Sequence, residues 1–477
     1  MASESSEQAP AVLWFRRDLR LADHPALLAA TGAEPGDGPG GRAVVPLFVV
    51  DPALWGPSGD PRRAWLLRSL RALDERLDGG LVVREGDPAD VVPAVARDAG
   101  AGEVHVTADT GPYGRRRDAA VEEALGDGVS LVRTGTPYAV GPGSVLNGSG
   151  EAYKVFTPFY RAWLRHGWPS PGHDVEPGDV SWEQVEGREW PSEPDLGDLE
   201  LPEAGEAAAR ERWESFRDDG LLTYAETRNS PAVDGTSGLS AHLKYGEVHP
   251  RTLLAGLGRL LDDGRLSTDS KDSVDTFRSE LGWREFYADV LWHHPRTARE
   301  YHREEYADLR YDSPSRGAGR SRLEAWQEGR TGYPFVDAGM RQLRAEGWMH
   351  NRVRMVVASF LVKDLHLEWQ VGARYFLRWL RDGDLASNNH GWQWAAGSGT
   401  DAAPFFRIFN PVTQGVKFDP DGDYVRRYVP ELRHVAGKAV HTPWEVEDGY
   451  DHSYPERVVD HAAERAEALD RFGAVRP

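Results

Sequence analysis

VLWF from Val12, VVPLFVV from Val44, LVV from Leu81, VHVT from Val104 and VSLV from Val129 are five short apolar runs, and helical patterns fill the intervals between them. Short continuous runs of this kind are typical of strands buried on both faces, with helices supplying the cover. Residues 11–139 therefore read as a doubly wound parallel α/β domain. The first run is not followed by GxGxxG, and no GxxxxGK[ST] occurs. The usual dinucleotide and triphosphate sites are thus unsupported, although such sheets can bind other ligands at the carboxyl ends of their strands.

Outward from this domain the pattern changes. Residues 1–10, MASESSEQAP, have no apolar core and are expected to form a disordered tail. Residues 140–205 are rich in Pro, Gly and acids, with PSPGHDVEPGD and WPSEPDLGD lacking a sustained period, and read as a long connector. From 206 to 477 strand signals are sparse. Amphipathic runs near 206–218, 250–263, 273–292, 335–346, 351–367 and 370–381 predict an all-helical second domain.

The 477 residues allow two or three domains with ample core. With no cysteine, disulfides, thiolate nucleophiles and Cys-ligated metals are excluded, and no metal site is expected. Redox chemistry would need an organic cofactor. No apolar run is long enough to cross a bilayer, so a cytoplasmic protein is expected. The net charge of -20 argues against indiscriminate nucleic-acid binding. Its distribution is uneven: residues 182–220 hold 13 acids and 4 bases (net -9), residues 341–381 hold 8 bases and 3 acids (net +5). The basic stretch could hold phosphates or form ion pairs along helix surfaces.

The densest chemistry lies in DGDLASNNHGWQW, Asp382 to Trp394, with acids, amides and tryptophans on either side of a helix break. A ligand with polar edges and large flat faces, such as a flavin, would use such a run; a buried helical hairpin with a satisfied acid pair would also account for it. In SELGWREFYADVLW, Glu280, Trp283, Arg284 and Tyr287 follow i, i+3, i+4, i+7 spacing and share a helix face. That face reads either as functional or as a boundary with an internal Glu280–Arg284 ion pair. In GWMHNRVRM, Asn351 and Met355 stand four apart, flanked by Arg352 and Arg354; Asn351 reads equally as a cap or a ligand contact. Thr236, Ser237 and Ser240 in YAETRNSPAVDGTSGLS can bond phosphate at a helix start or act as ordinary caps.

In this order and spacing these segments resemble the DNA photolyase and cryptochrome family over nearly the whole chain, from VLWFRRDLRLADHPAL at Val12 to TDAAPFFRIFNPVTQG at Thr400. Further matches are VFTPFYRAW at Val155, WQEGRTGYPFVDAGMRQL at Trp326 and SFLVKDLHLEW at Ser359. The resemblance implies an α/β antenna domain, a connector and a helical FAD domain. It implies that Tyr224, Thr236, Ser237, Gly238, Leu239, Ser240, Arg354, Asp382, Gly383, Asp384 and Asn388 hold FAD, with Arg354 and Asp382 paired beside the isoalloxazine and Asn388 facing N5. A neutral amide there suits a flavin in more than one redox state, where a carboxylate would repel added electron density.

Within the family, the chain is most like the class I enzymes acting on cyclobutane pyrimidine dimers. Glu280, Trp283, Asn351, Met355 and Trp394 resemble their lesion contacts, in which the acid bonds the dimer and the tryptophans pack on its faces. Extrusion of the target base belongs to the general behaviour of photolyases. Six-four relatives carry paired histidines around Asn351 to Met355, where this chain offers only His350. Relatives that favour single strands often replace a pocket Trp by Tyr, whereas Trp283 and Trp394 are both kept. The last patterned segment is DHAAERAEALDRFGAVRP, and a dedicated signalling tail is not expected. Arg228, Arg284, Arg352 and Lys154 are the candidate DNA phosphate contacts. Trp392 and Trp369 match the inner members of the family's electron-transfer chain; the outer Trp is not found, and Tyr311 is the nearest aromatic candidate. GPYGRRRD at Gly111 is closest to deazaflavin-binding relatives, so 8-hydroxy-5-deazaflavin is the expected antenna, ahead of methenyltetrahydrofolate. A monomer acting on dimer-containing DNA is expected, with a cryptochrome-like photoreceptor as the main alternative and a light-independent flavoprotein as a more distant one.

Overall fold

The computed structural model describes residues 9–34, 36–186, 190–401, 404–405 and 407–475. All but the last two residues of the expected N-terminal tail lie outside this set, as do Ala402, Ala403 and Phe406 of the segment beginning at Thr400.

Each of the five apolar runs contributes a strand: β1 Ala11–Phe15, β2 Val44–Val50, β3 Val82–Glu85, β4 Glu103–Val106 and β5 Ser130–Arg133. They form one sheet in the order β3-β2-β1-β4-β5, all neighbours parallel. Every residue of β1 and β2 is buried, because helices cover both faces. Alternation splits β1 between two cores: Val12 and Trp14 join Val45, Leu47 and Val104, whereas Ala11, Leu13 and Phe15 join Val44, Phe48 and Leu70.

The stretch 140–205 is more than a connector. It contains the helix Phe156–His166, whose Phe156, Phe159 and Trp163 share a core with Phe277, Leu281 and Phe286 of the long helix Thr268–His293. The 156, 159, 163 spacing is a helical apolar stripe, obscured in sequence by its Pro- and Gly-rich flanks. Further on, the chain returns to the sheet: Val44 N donates to Ser181 O at 2.8 Å, and Glu183 N donates to Val44 O at 2.9 Å.

The second domain is helical over its described residues. Its principal helices are Glu206–Ser215, Pro250–Asp262, Thr268–His293, Pro334–Glu346, Asn351–Lys363, Trp369–Trp379, Leu385–Ala396 and His461–Val475, near the expected runs where these were drawn. A second core packs Phe360, Leu361, Trp369, Phe376 and Trp392 where three of these helices meet. No helix among the described residues is long and apolar enough to cross a membrane.

Candidate active site

Helix Asn351–Lys363 starts on His350, whose ring nitrogen accepts from Arg352 N at 3.2 Å. Asn351 is therefore not the cap, and its exposed amide stays available. One turn on, Arg354 donates through Nε to Met349 O (2.7 Å) and through Nη2 to Asp382 Oδ2 (2.9 Å). Asp382 sits in the break between helices Trp369–Trp379 and Leu385–Ala396. Burial alone would raise its carboxyl, but the charge and hydrogen bond of Arg354, helped by Ser240, hold it below the ordinary range. Its other oxygen, Oδ1, is buried without a hydrogen-bond partner among the described residues.

Beyond buried Gly383, Asp384 caps helix Leu385–Ala396 by accepting from Ser387 N at 3.0 Å and also accepts from Arg17 Nη2 at 2.8 Å. On that helix, Asn388 donates to Ala373 O (3.2 Å) and Asn389 Oδ1 (2.8 Å), which leaves its carbonyl oxygen outside these bonds. The Thr236–Ser240 segment is shaped by Arg212, which donates to Thr236 O at 2.7 Å and Ser237 O at 2.8 Å. Gly238 has φ +65°, and a Cβ there would stand 2.9 Å from Arg212 Nε, so this turn needs glycine. Leu239 is buried and Ser240 exposed. Tyr224 packs edge-on to Phe216 and Phe277.

These groups fit a flavin nucleotide. A buried, ionised carboxylate with an unfilled acceptor suits ligand N–H or hydroxyl donors, Arg354 supplies a neighbouring cation, and Asn388 offers a neutral acceptor edge.

The face of helix Thr268–His293 divides in a way its spacing did not predict. Glu280 pairs with Arg228 (2.7 Å), not with Arg284. Burial raises its carboxyl above the ordinary range against the opposing charges of Arg228 and Arg352. Arg284 turns inward, donating to Pro137 O (3.1 Å) and Leu243 O (3.2 Å) and lying over the Tyr138 ring, with 14% of its side chain exposed. It is spent on the domain junction, so the expectation that it meets DNA phosphate is withdrawn. Half-buried Trp283 stacks one face on Phe156 at 3.8 Å. Arg352 donates to Asn229 Oδ1 at 2.7 and 3.0 Å and contacts Met355 Sδ at 3.6 Å. Trp394 is half-buried, and Lys154 is exposed.

Trp392 is buried and presses on helix Trp369–Trp379: a Cβ on Gly372 would lie 2.1 Å from its Cη2. Trp369, one turn earlier, meets Tyr301 edge-on at 6.1 Å, and Tyr301 stacks on Tyr311 at 6.4 Å. Tyr311 is half-buried. Both indole N–H groups, of Trp369 and Trp392, lack partners among the described residues.

Two family models cover most of the chain: DNA photolyase matches residues 11–177, and the FAD binding domain of DNA photolyase matches residues 277–474. A deoxyribodipyrimidine photo-lyase of Halobacterium salinarum is 40% identical over 485 residues, covering 98% of this chain and 99% of that protein. The chain belongs to the DNA photolyase family. The Escherichia coli deoxyribodipyrimidine photo-lyase is 39% identical over 98% of both chains. Among solved photolyase structures, a bacterial class III photolyase from Agrobacterium tumefaciens superposes with TM-score 0.86 at 35% identity, covering 99% of each chain. A Synechocystis cryptochrome does so with TM-score 0.81 at 26% identity, covering 97% of this chain and 98% of that one.

Several residues escaped the sequence reading of this photolyase: Arg17, Arg212, Asn229 and Tyr301. Arg17 lay within the quoted FRRDLR motif. Its doubled arginine was the only available signal, because its partner Asp384 is 367 residues away.

Proposed function

We propose that this chain repairs cyclobutane pyrimidine dimers in DNA under blue light, using FAD, as its relatives' name deoxyribodipyrimidine photo-lyase describes for them. The observation that carries this reading is Glu280: a carboxyl raised by burial, one helical turn from Trp283 with an aromatic face, and paired through Oε1 with Arg228. A desolvated acid that can hold a proton beside aromatic walls suits an extruded pyrimidine pair with carbonyl acceptors.

In this reading Glu280 donates a hydrogen bond to a dimer carbonyl and stabilises negative charge developing there. Trp283 and Trp394 pack on the apolar edges of the dimer, and Asn351 and Met355 complete the wall. Arg352 and Lys154 take backbone phosphates, and Arg228 orients Glu280. Arg354 and Asp382 hold the isoalloxazine ring, Asn388 bonds its edge, and Tyr224 with the 236–240 segment holds the rest of the nucleotide. When bound and reduced, FAD supplies, on excitation, the electron that splits the cyclobutane ring and recovers it afterwards. Trp392, Trp369 and an outer tyrosine refill the cofactor with electrons. The antenna is 8-hydroxy-5-deazaflavin, with methenyltetrahydrofolate as the alternative, and the protein acts as a cytoplasmic monomer. Chromophore release followed by absorption spectroscopy distinguishes the two antennas.

The test is loss of thymine dimers from an irradiated oligonucleotide, in blue light and in the dark, with reduced protein. Loss only in the light is expected. No loss from protein holding photoreducible FAD would refute repair and favour a photoreceptor, to which the likeness to the Synechocystis cryptochrome also points.

A further inference from the structure

In the order β3-β2-β1-β4-β5 the winding reverses at β1, so the crevice at the carboxyl ends of β1 and β4 is where an open α/β sheet ordinarily receives a ligand. Here the loop after β1, residues 16–21, occupies it and reaches beyond. Arg16 and Asp18 face the α/β domain: Arg16 Nη1 donates to Asp118 Oδ1, on the helix Pro112–Leu125, at 2.5 Å, and Thr107 Oγ1, just past β4, donates to Asp18 Oδ2 at 2.5 Å. Arg17 faces the helical domain.

Three donors from this loop meet the end of the short helix Ser240–Tyr245. Arg17 Nε donates to Lys244 O at 3.2 Å, Leu19 N to Tyr245 O at 3.1 Å, and Arg20 Nη1 to Gly246 O at 2.9 Å. These carbonyls are the acceptors a helix leaves unfilled at its carboxyl end. The approach is close: Gly246 has φ +69°, and a Cβ there would lie 1.9 Å from Arg17 O. From the same guanidinium, Nη2 reaches Asp384, whose other oxygen caps the helix bearing Asn388. One arginine of the α/β domain thus ties together two separate pieces of the helical domain that the cofactor reading assigns to FAD.

We propose that Arg17 is a positioning residue of the flavin site: it fixes Asp384 against the helix that follows the 236–240 segment, so that FAD retention depends on docking of the α/β domain. This rests on the assignment of Asp384 and residues 236–240 as FAD contacts. The neighbouring cation, Lys244, is a weak substitute. Burial, with Arg17 beside it, pushes its ammonium down to about 7, and a point charge cannot bridge a carboxylate and a carbonyl as a planar fork does.

The experiment compares full-length wild type, Arg17→Lys, Arg17→Gln and Arg17→Leu, each stripped of flavin and titrated with FAD. Affinity is read by flavin fluorescence, site order by the vibronic structure of the blue absorption band, and folding by the melting temperature of the apoprotein. Arg17→Leu and Arg17→Gln are expected to weaken FAD binding by roughly tenfold or more and to blur the band, as loss of a charge-assisted bond implies. Arg17→Lys should recover part of the affinity. If Arg17→Leu does not fold, Arg17→Gln carries the same comparison. Unchanged affinity and band shape in a folded Arg17→Leu or Arg17→Gln protein would overturn the proposal. A wild-type protein that binds no FAD would overturn the underlying cofactor reading instead.

Discussion

Asp382→Asn removes one charge and almost no volume from the centre of the site. In the native protein the Asp382 side chain is 4% exposed, and that of Arg354, 2.9 Å away, is 25% exposed. A hydrogen bond to a charged group contributes about 1.5–3 kcal/mol. Because Arg354 is partly exposed and can turn to water, the apoprotein should lose only about 1–2 kcal/mol. The effect on FAD combines the missing charge with the loss of an acceptor at Oδ1, where an amide nitrogen would face ligand donors. Losing charge assistance on one bond amounts to about 1–2 kcal/mol, or roughly 5–30-fold in Kd. Denaturant unfolding of the apoprotein and fluorescence titration with FAD measure the two effects separately. The carboxyl of Asp382 is held below its ordinary value, so the stability it contributes is present above the unfolded pKa and lost as pH falls through the folded one. The difference between wild type and variant should therefore be complete at neutral pH and shrink below about pH 4. An unchanged FAD Kd, or a stability difference that widens in acid, would refute this account of the site.

Glu280→Ala should lower dimer repair per photon while leaving FAD content nearly unchanged; equal repair yield would remove its assigned role. Trp392→Phe should abolish or strongly slow photoreduction of oxidised FAD but leave repair by prereduced protein intact, and Tyr311→Phe should slow photoreduction to a smaller degree, both read by flavin absorbance under blue light. Lys363, fully buried with Nζ donating to Arg407 O at 3.0 Å, has its ammonium pushed down to about 7 by burial. The unfolded chain then binds more protons between about pH 7 and 10, so stability should rise across that window, and Lys363→Met should flatten the rise in unfolding titrations. Arg352→Gln should flatten the log–log salt dependence of binding to irradiated duplex by about one unit, whereas Arg284→Gln should leave the slope unchanged; a gel-shift series in salt measures both.

The sheet was legible because its evidence is local: continuous apolar runs predict buried strands, and all five occur. The helical domain was legible for the same reason, and helix Phe156–His166 was missed as an element because composition averaged over 140–205 concealed a single apolar stripe. Site positions followed motif spacing, but orientations did not. Glu280 and Arg284 lie one turn apart on one helix, yet one meets Arg228 and the other the carbonyls of Pro137 and Leu243. An i, i+4 rule describes an isolated helix, and neighbours distant in sequence decide which partner is taken. His350 likewise displaced Asn351 as the cap, since a ring nitrogen can accept the first free amide as well as a side-chain carbonyl can.

The excess of arginine in 341–381 bears on how so acidic a chain can act on DNA. Arg341 pairs with Glu431 and Arg354 with Asp382, Arg344 lies over Trp379, and Arg381 donates to Glu346 O beside Trp65. These groups build the domain and its junction, whereas the guanidinium of Arg352 is held by a neutral amide at the proposed lesion pocket. Non-specific affinity rises with each phosphate neutralised, so arginines committed to carboxylates, carbonyls and rings within the protein add little to it. On the proposed function, binding then depends on what the pocket gains from an extruded dimer: aromatic contact with Trp283 and Trp394 and a hydrogen bond from Glu280. Undamaged bases stay stacked, cannot make those contacts and are not compensated by a basic surface. On that reading, with a net charge of -20, weak attraction to intact DNA adds to selectivity alongside attraction to the lesion.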